Sequence, residues 1–179
     1  MMRLQLLITL CVAALLCSSC EEKIKPSVLG SVDSRTLPQQ ESWNSRIVIS
    51  DSGRIRAVIY AGYLRVYDNM QQTQLSEGVK SFFYDQFGKQ TSVMTSREGT
   101  VDEATNNLEA RGDVLVVSTD STKLRSEILY WDNQRQLIHT PAFVRINSPK
   151  EKLQGHGLEA DQGLKNYRIF RVTGEAQTQ

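Results

Sequence analysis

A repeat of about 30 residues constrains the fold of this chain more than any other sequence feature. Residues 124–132 align with residues 153–161 at an offset of 29, with two Leu and a closing Asp at matching positions. Residues 108–116 align with residues 138–146 at an offset of 30. A unit of this size cannot bury an apolar face by itself. Successive copies must therefore stack around a shared interior.

Each repeat unit has the pattern of two β-strands and two turns. Runs of β-branched and aromatic residues alternate with turns that contain Asp, Asn or Gly, which is typical of an all-β chain. After the first 20 residues, no segment keeps an apolar stripe at helical spacing for three turns. The predicted strands are residues 47–49, 55–60, 63–67, 79–84, 91–95, 114–118, 127–131, 137–146 and 167–172.

Stacked hairpins form an open structure with two free edges. The first and last strands then carry backbone N–H and C=O groups with which another chain can pair. Along each strand, alternate side chains point to opposite faces. The residues predicted to point inward are aliphatic in both aligned copies, and they are Val114, Val116, Val144 and Ile146. The residues predicted to point outward include a charge, and they are Leu115, Val117, Phe143 and Arg145.

The N-terminal residues have the pattern of a lipoprotein signal peptide. A positive start at Arg3 precedes a nearly unbroken apolar run at residues 4–16, which is shorter than the roughly 20 residues needed to span a bilayer. Two serines then precede Cys20, which resembles a bacterial lipoprotein cleavage site after which Cys20 carries the lipid. Cys17 stands where that pattern usually has Leu. The alternative is an ordinary secreted protein that is cleaved nearby.

These patterns predict four parts of the chain. Residues 1–19 are the signal peptide, and residues 20–45 are the lipidated N-terminus and a flexible tether that is polar and contains two prolines. Residues 46–175 form the β domain, and residues 176–179 are a disordered tail.

Charge and motif content argue against several classes of function. Lys and Arg total 21 against 20 Asp and Glu, so no nucleic-acid partner is expected. All three cysteines precede residue 21, which excludes a Cys/His zinc site in the body of the chain. We expect no catalytic residue, metal or cofactor. A hydrolase that uses His139 or His156 is a rival interpretation, and it requires loss of function when these histidines are replaced by Ala.

Two further motifs have simple structural interpretations. The segment Gly155-His156-Gly157 lies within a strand pattern, where glycines mark a bulge or a close backbone approach, and we expect a bulge. Asp102, Asp132 and Asp161 recur once per repeat. Calcium needs six to eight oxygen ligands, so these residues are predicted to form turns.

Several motifs occur in the order and spacing of a known family. They are Glu77-Gly78-Val79, Ala110-Arg111-Gly112-Asp113-Val114-x-Val116, Leu124-x-Ser126-Glu127-x-Leu129-x-Trp131-Asp132, Leu153-x-Gly155-x-Gly157-Leu158-x-Ala160-Asp161 and Tyr167-x-Ile169-x-x-Val172-x-Gly174. Together they resemble LptC, the periplasmic component of the lipopolysaccharide-export ABC transporter. The resemblance covers residues 47–174.

The resemblance implies a fold, a function and a set of partners. The fold is the open, twisted antiparallel β-jellyroll of the OstA-like superfamily. The function is to accept lipopolysaccharide from the transmembrane subunits of the inner-membrane ABC transporter and to pass it to a homologous periplasmic bridge protein. The location is the periplasmic side of the inner membrane rather than the outer membrane. Known members are held by an N-terminal transmembrane helix, whereas this chain is predicted to contact the membrane through a lipid on Cys20.

On this interpretation an apolar groove shields the acyl chains. Its predicted lining is Val101, Leu108, Val114, Val116, Leu124, Leu129, Val144, Ile146, Leu153, Leu158 and Ile169. The predicted partner-binding edges are Ile47, Val48 and Ile49 for the transporter and Tyr167, Ile169 and Val172 for the bridge protein. The alternative for the groove residues is that they fill a dry sandwich core.

A second interpretation of the whole chain is a cell-surface β-sandwich lipoprotein that binds polysaccharide or another protein. This alternative predicts an exposed aromatic platform formed by Trp131 and nearby tyrosines.

Overall fold

The structure is a computed structural model that describes residues 37–67 and 70–177, with side chains described up to residue 174. The predicted signal peptide, Cys20 and most of the predicted tether lie outside the described residues. Within the described ranges, no helix is both long enough and apolar enough to cross a membrane.

The described part of the chain forms one antiparallel sheet of ten strands. The strands are β1 (Gln40–Asp51), β2 (Arg54–Tyr67), β3 (Gln72–Tyr84), β4 (Gln90–Ser96), β5 (Glu98–Asp102), β6 (Leu108–Ser118), β7 (Lys123–Asp132), β8 (Leu137–Asn147), β9 (Glu151–Asp161) and β10 (Tyr167–Gln177). Their order in the sheet is β1-β2-β3-β4-β6-β7-β8-β9-β10, and β5 pairs with β3 and β6. This order confirms the predicted open antiparallel β-jellyroll of stacked hairpins.

The strand boundaries differ from the predicted ones at several places. β1 begins at Gln40, six residues before the predicted start of the domain at Arg46, and β10 runs to Gln177, past the predicted end at residue 175. β2 joins two predicted strands through Gly62. The sequence pattern predicts no separate strands at β5 and β9, because β5 has a single large apolar residue and β9 contains two glycines.

A row of corners crosses the sheet and bends the long strands. Backbone φ angles are positive at Asn44 in β1, at Glu77 in β3, at Asp113 in β6 and at Gly157 in β9. The pairing register shifts beside these residues between β2 and β3, between β6 and β7 and between β8 and β9. Such bulges bend a strand and increase its twist. We call these positions the corner row.

Glycines allow the strands to approach closely at the corner row. A Cβ on Gly62 would lie 2.6 Å from the carbonyl oxygen of Glu77, and a Cβ on Gly155 would lie 2.2 Å from that of Arg171. Gly157 combines a φ of 75° with the register shift opposite Pro141 and Ala142 in β8. The close approach is present at Gly155, but the predicted bulge at residues 155–157 is wrong, because the extra residue lies on β8, where Pro141 and Ala142 oppose Gly157 alone.

The corner row divides the sheet into two layers. Layer 1 contains the strand segments 40–43, 63–67, 72–76, 98–102, 108–111, 128–132, 137–140, 158–161 and 167–169, and layer 2 contains the segments 45–51, 54–61, 79–84, 90–96, 114–118, 123–126, 143–147, 151–156 and 171–177.

The two layers face each other across a common interior. The rings of Trp131 in layer 1 and Phe83 in layer 2 have centroids 5.0 Å apart. The Tyr167 hydroxyl donates a hydrogen bond of 2.6 Å to Glu151, although the pairing partner of Glu151 is Gln177. Ten residues of straight strand span roughly 33 Å, so this contact requires the sheet to fold back on itself.

The interior between the layers is apolar and closely packed. The four residues of β6 and β8 that were predicted to point inward are each at most 1% exposed, namely Val114, Val116, Val144 and Ile146. Three of their predicted outward neighbours are partly buried, namely Leu115, Val117 and Phe143, and one is exposed, namely Arg145. The period-two assignment of faces therefore agrees with the structure.

We predict that Trp131→Ala destabilises the domain by about 3–5 kcal/mol, because it removes a large side chain that is 1% exposed and leaves a cavity. Chemical denaturation measures the free energy of unfolding. Phe87→Ala is the matched control, since Phe87 is 84% exposed and its loss should change the stability by less than about 0.5 kcal/mol. Equal effects of the two substitutions would contradict the burial described here.

Candidate functional site

The predicted groove residues line both walls of the interior. Nine of the eleven are buried and belong to one apolar cluster, namely Val101, Leu108, Val114, Val116, Leu124, Leu129, Val144, Ile146 and Leu158. Leu153 and Ile169 are partly buried. Layer 1 and layer 2 both contribute to the set. The sequence pattern therefore identifies a continuous apolar interior, which is filled by its own side chains in the structure.

Two cavities lie near the edges of the sheet and adjoin this interior. The first-edge cavity has a volume of about 440 Å³ and is lined by Gln40, Ser42, Ser45, Arg46, Ile47, Leu64, Val66, Thr73, Val101, Glu103 and Asn106. The last-edge cavity has a volume of about 480 Å³ and is lined by Arg145, Ile146, Asn147, Lys152, Leu153, Gln154 and Gly174. Each cavity combines polar residues with predicted groove residues, so each is a place where the apolar interior approaches solvent.

Opposite the corner row, hydrogen bonds join the free ends of the two layers. The Tyr167 hydroxyl donates to Glu151 at 2.6 Å, and Nε2 of Gln162 donates to the carbonyl oxygen of Tyr84 at 2.8 Å. The Ser92 hydroxyl donates to the carbonyl oxygen of Gln162. We call this region the mouth. Its contacts are polar, whereas the interior behind it is apolar.

Burial and the hydrogen bond to the Glu151 carboxylate raise the pKa of Tyr167 above its ordinary value. The neutral phenol is thus favoured in the folded state, where it donates to the carboxylate. This bond links the start of β9 to the start of β10 and depends on the protonation of one side chain.

Two polar groups inside the interior have no hydrogen-bond partner. Nε1 of Trp131 and the hydroxyl of Ser81 are buried and unpaired in the structure. A buried unpaired donor costs about 1–3 kcal/mol.

The edge strands present both backbone and apolar side chains. In the described part of the chain, β1 pairs with β2 alone and β10 pairs with β9 alone. Of the predicted edge residues, Val48 and Val172 are exposed, Ile49 is buried, and Ile47, Tyr167 and Ile169 pack against the core. The prediction missed Trp43 and Phe170, which are 63% and 55% exposed on the same two strands. Phe170 alternates with the inward Ile169, so the period-two pattern was a signal for it, whereas Trp43 has the parity of the inward Ile47 and Ile49 and points outward only because the alternation changes at Asn44.

Comparison with known proteins identifies the family. The family described as "Lipopolysaccharide-assembly, LptC-related" matches residues 6–175. The chain belongs to the LptC family. This match covers almost the whole chain and confirms the resemblance found in the sequence motifs.

Among solved structures, the chain is similar to LptH from Pseudomonas aeruginosa, which is described as the LptA-homologous periplasmic component of the conserved lipopolysaccharide transport device. The sequence identity is 13%, the match covers 78% of this chain and 87% of LptH, and the TM-score is 0.30. A search of curated protein sequences finds no match.

The two histidines of this LptC-family chain take part in aromatic contacts. His139 stacks on Tyr130 with centroids 5.3 Å apart, and His156 meets the Phe143 ring edge-on at 5.1 Å. Within residues 37–67 and 70–177, no group of three or more His, Cys, Asp or Glu side chains is arranged to hold a metal.

The recurring aspartates form turns, as predicted. Side-chain oxygens of Asp102, Asp132 and Asp161 accept hydrogen bonds from backbone N–H groups two or three residues further along the chain. The exposed platform that the alternative interpretation requires at Trp131 is contradicted, because Trp131 is buried against Phe83.

We predict that Tyr167→Phe lowers the free energy of unfolding by about 1 kcal/mol at neutral pH, because it removes the mouth hydrogen bond to Glu151. The folded state raises the pKa of Tyr167, so this contribution is complete below pH 10 and is lost as the pH rises through the folded-state pKa. The difference in stability between wild type and variant should therefore shrink above pH 10. A double-mutant cycle with Glu151→Gln measures the coupling, and a coupling of zero would exclude the contact.

Proposed function

We propose that this protein accepts lipopolysaccharide from an inner-membrane ABC transporter, shields its acyl chains between the two layers and passes it to a periplasmic bridge protein. The observation that carries the proposal is an apolar interior, continuous through the stacked hairpins, in a chain that belongs to the LptC family. An interior of aliphatic side chains makes no direction-specific bonds, so a hydrocarbon chain can move along it.

The energetics favour entry of a lipid between the layers. Burying one CH₂ group is worth about 0.8 kcal/mol, so an acyl chain of ~14 carbons gains on the order of 11 kcal/mol when it leaves water. The three mouth hydrogen bonds contribute about 1 kcal/mol each. The hydrogen bonds of the mouth are therefore a small part of what the burial of one acyl chain returns.

The unpaired interior donors also support a lipid over a permanently dry core. Nε1 of Trp131 and the Ser81 hydroxyl are donors that a carbonyl of an acyl ester or amide can satisfy. A bound lipid would then remove the free-energy cost of leaving these two donors without a hydrogen-bond partner.

Site-specific photo-crosslinking in cells tests the proposal. Photoreactive residues in place of Val116 or Ile146, which face the interior, should capture lipopolysaccharide. The matched controls replace Leu115 and Val117, which alternate with the inward positions of β6 and point outward. Capture at the outward positions alone would contradict transport through the interior.

The free edges are the proposed contacts with protein partners. We place the transporter at β1, with Ile47, Val48 and Ile49, and the bridge protein at β10, with Tyr167, Ile169 and Val172. Strand addition at either edge would satisfy the unpaired backbone groups and extend the sheet. The exposed Phe170 and Val172 offer apolar contacts for an added strand at β10.

We predict that Val172→Lys reduces capture of the bridge protein by this chain at least tenfold while the fold is retained. Val172 is 53% exposed on the last edge, and a charge on an edge strand opposes the addition of another strand. Co-purification of the two proteins from cells measures the loss. Phe87→Lys is the matched control, because Phe87 is exposed in the turn between β3 and β4 and lies on neither edge strand. Equal capture by both variants would exclude β10 as the docking edge.

The proposed anchor is a lipid on Cys20, which holds the protein on the periplasmic side of the inner membrane. Two or more acyl chains bind a membrane firmly, whereas a single chain binds marginally. The mass of the mature N-terminal peptide tests this modification.

A further inference from the structure

Two arginines face each other across the pair of strands β7 and β8. Arg125 and Arg145 are direct partners in the antiparallel register, and both are exposed on the outer face of layer 2. Like charges directly opposite each other on a sheet are destabilising. A pair of this kind gives no stability to the fold, and an anion bound between the two guanidinium groups would remove the repulsion.

Two lysines enlarge this concentration of positive charge. Lys123 and Lys152 lie one row further from the corner row on the same outer face, and both pair with Asn147. Neighbouring strands are about 4.8 Å apart and alternate residues about 6.8 Å apart, so the four cations fall within roughly one Debye length of each other. We call Lys123, Arg125, Arg145 and Lys152 the basic patch.

Two acids lie beside the basic patch, and neither forms an ion pair with it. Asp113 pairs with Arg97 at 3.0 Å, and Glu127 is exposed one row nearer the corner row on β7. Among the side chains described up to residue 174, the ion pairs are made by Arg56, Arg97, Arg111 and Arg135, and none includes a cation of the patch.

The basic patch adjoins the apolar interior at the last-edge cavity. Arg145 and Lys152 line this cavity together with Ile146 and Leu153, whose side chains belong to the interior face of layer 2. Arg145 also lines a second depression of about 360 Å³, which contains Arg125 together with Asp113 and Glu127. The guanidinium of Arg145 lies 5.2 Å from the centroid of the Phe143 ring, which limits its orientations.

We propose that the basic patch binds the phosphate groups of a glycolipid whose acyl chains enter the interior beside Ile146 and Leu153. The inference rests on the proposed function and adds to it a headgroup site. Guanidinium groups bind phosphate oxygens through paired N–H donors, and a bound phosphate removes the repulsion between Arg125 and Arg145. The adjacent cations and aliphatic residues match an amphiphile with phosphate at one end and hydrocarbon at the other.

The test compares the double variant Arg125→Gln/Arg145→Gln with the control Lys80→Gln/Lys89→Gln. The control removes the same charge from exposed lysines that lie outside the patch, on β3 and in the β3–β4 turn. Binding is measured with purified lipopolysaccharide and with the same lipid after enzymatic removal of its phosphates. The arginine variant should bind intact lipopolysaccharide about tenfold or more weakly than wild type, whereas the control should bind it equally.

The remaining arms separate the possible failures. With the dephosphorylated lipid, wild type and arginine variant should bind equally, and the melting temperature of the arginine variant should be unchanged or higher because the repulsion is gone. If wild type and the arginine variant bind intact lipopolysaccharide equally, the proposed headgroup site is wrong and the proposed function still stands. A wild type that binds neither lipid would overturn both. A further arm uses vesicles of acidic phospholipid without lipopolysaccharide. If the arginine variant loses binding to these vesicles but still binds lipopolysaccharide, the patch contacts the membrane surface and the proposal is overturned.

Discussion

The corner row is the constraint on which the rest of the structure depends. A straight antiparallel sheet of these strands would leave one apolar face in water, because each strand alternates between aliphatic and polar residues. The bulges at Glu77 in β3, at Asp113 in β6 and opposite Gly157 in β8 bend these strands at the same level, so the two halves of that face cover each other. Burial of the face is thus achieved within one sheet, and both edges remain unpaired in the described part of the chain.

The distribution of polarity in the folded sheet suits a structure that opens along one side. At the corner row the two layers are joined by the continuous backbone of the strands, which also makes close contacts such as that of Gly62 with Glu77. At the mouth the layers are joined only by hydrogen bonds that involve side chains, among them those of Glu151, Gln162 and Tyr167. Each such hydrogen bond contributes about 1 kcal/mol, far less than the strand ladders on either side of it. Separation of the layers would therefore begin at the mouth, with the corner row as the hinge. The aliphatic walls behind it can exchange contact with each other for contact with hydrocarbon at little cost, because both surfaces are apolar.

The sequence repeat was sufficient to predict the hairpin stack and its inward faces. Leu124 and Leu153 occupy equivalent buried or partly buried positions on alternate strands, and the same parity identifies Val116 and Ile146. The corner row was harder to predict, because Glu77 and Asp113 adopt positive φ without being glycines and their neighbours in sequence do not reveal which strands bend together.

The contacts at the mouth and in the basic patch could not be predicted from the sequence, for a related reason. Tyr167 and Glu151 meet only because the sheet folds back, and Arg125 faces Arg145 only because the register shift between β7 and β8 falls on the far side of Ser126. A one-residue change of register would have placed Arg145 on the interior face. Site residues defined by periodicity were therefore accessible from the sequence, whereas those defined by register and by contact between layers required coordinates.

The features to which the proposed function assigns the transfer of lipid are concentrated near the last edge of the sheet. The last-edge cavity, the exposed Phe170 and Val172 and the cations Arg145 and Lys152 all lie on β8, β9 or β10. A strand added to β10 would continue the wall that contains Ile146 and Leu153, so that the apolar interior of one protein would join that of the next without a gap exposed to water. On the proposed function, a lipid leaving at this edge would move between two surfaces of similar polarity. The free-energy difference along the path would then be small, and the direction of transport would be set by the supply of lipid at the other end.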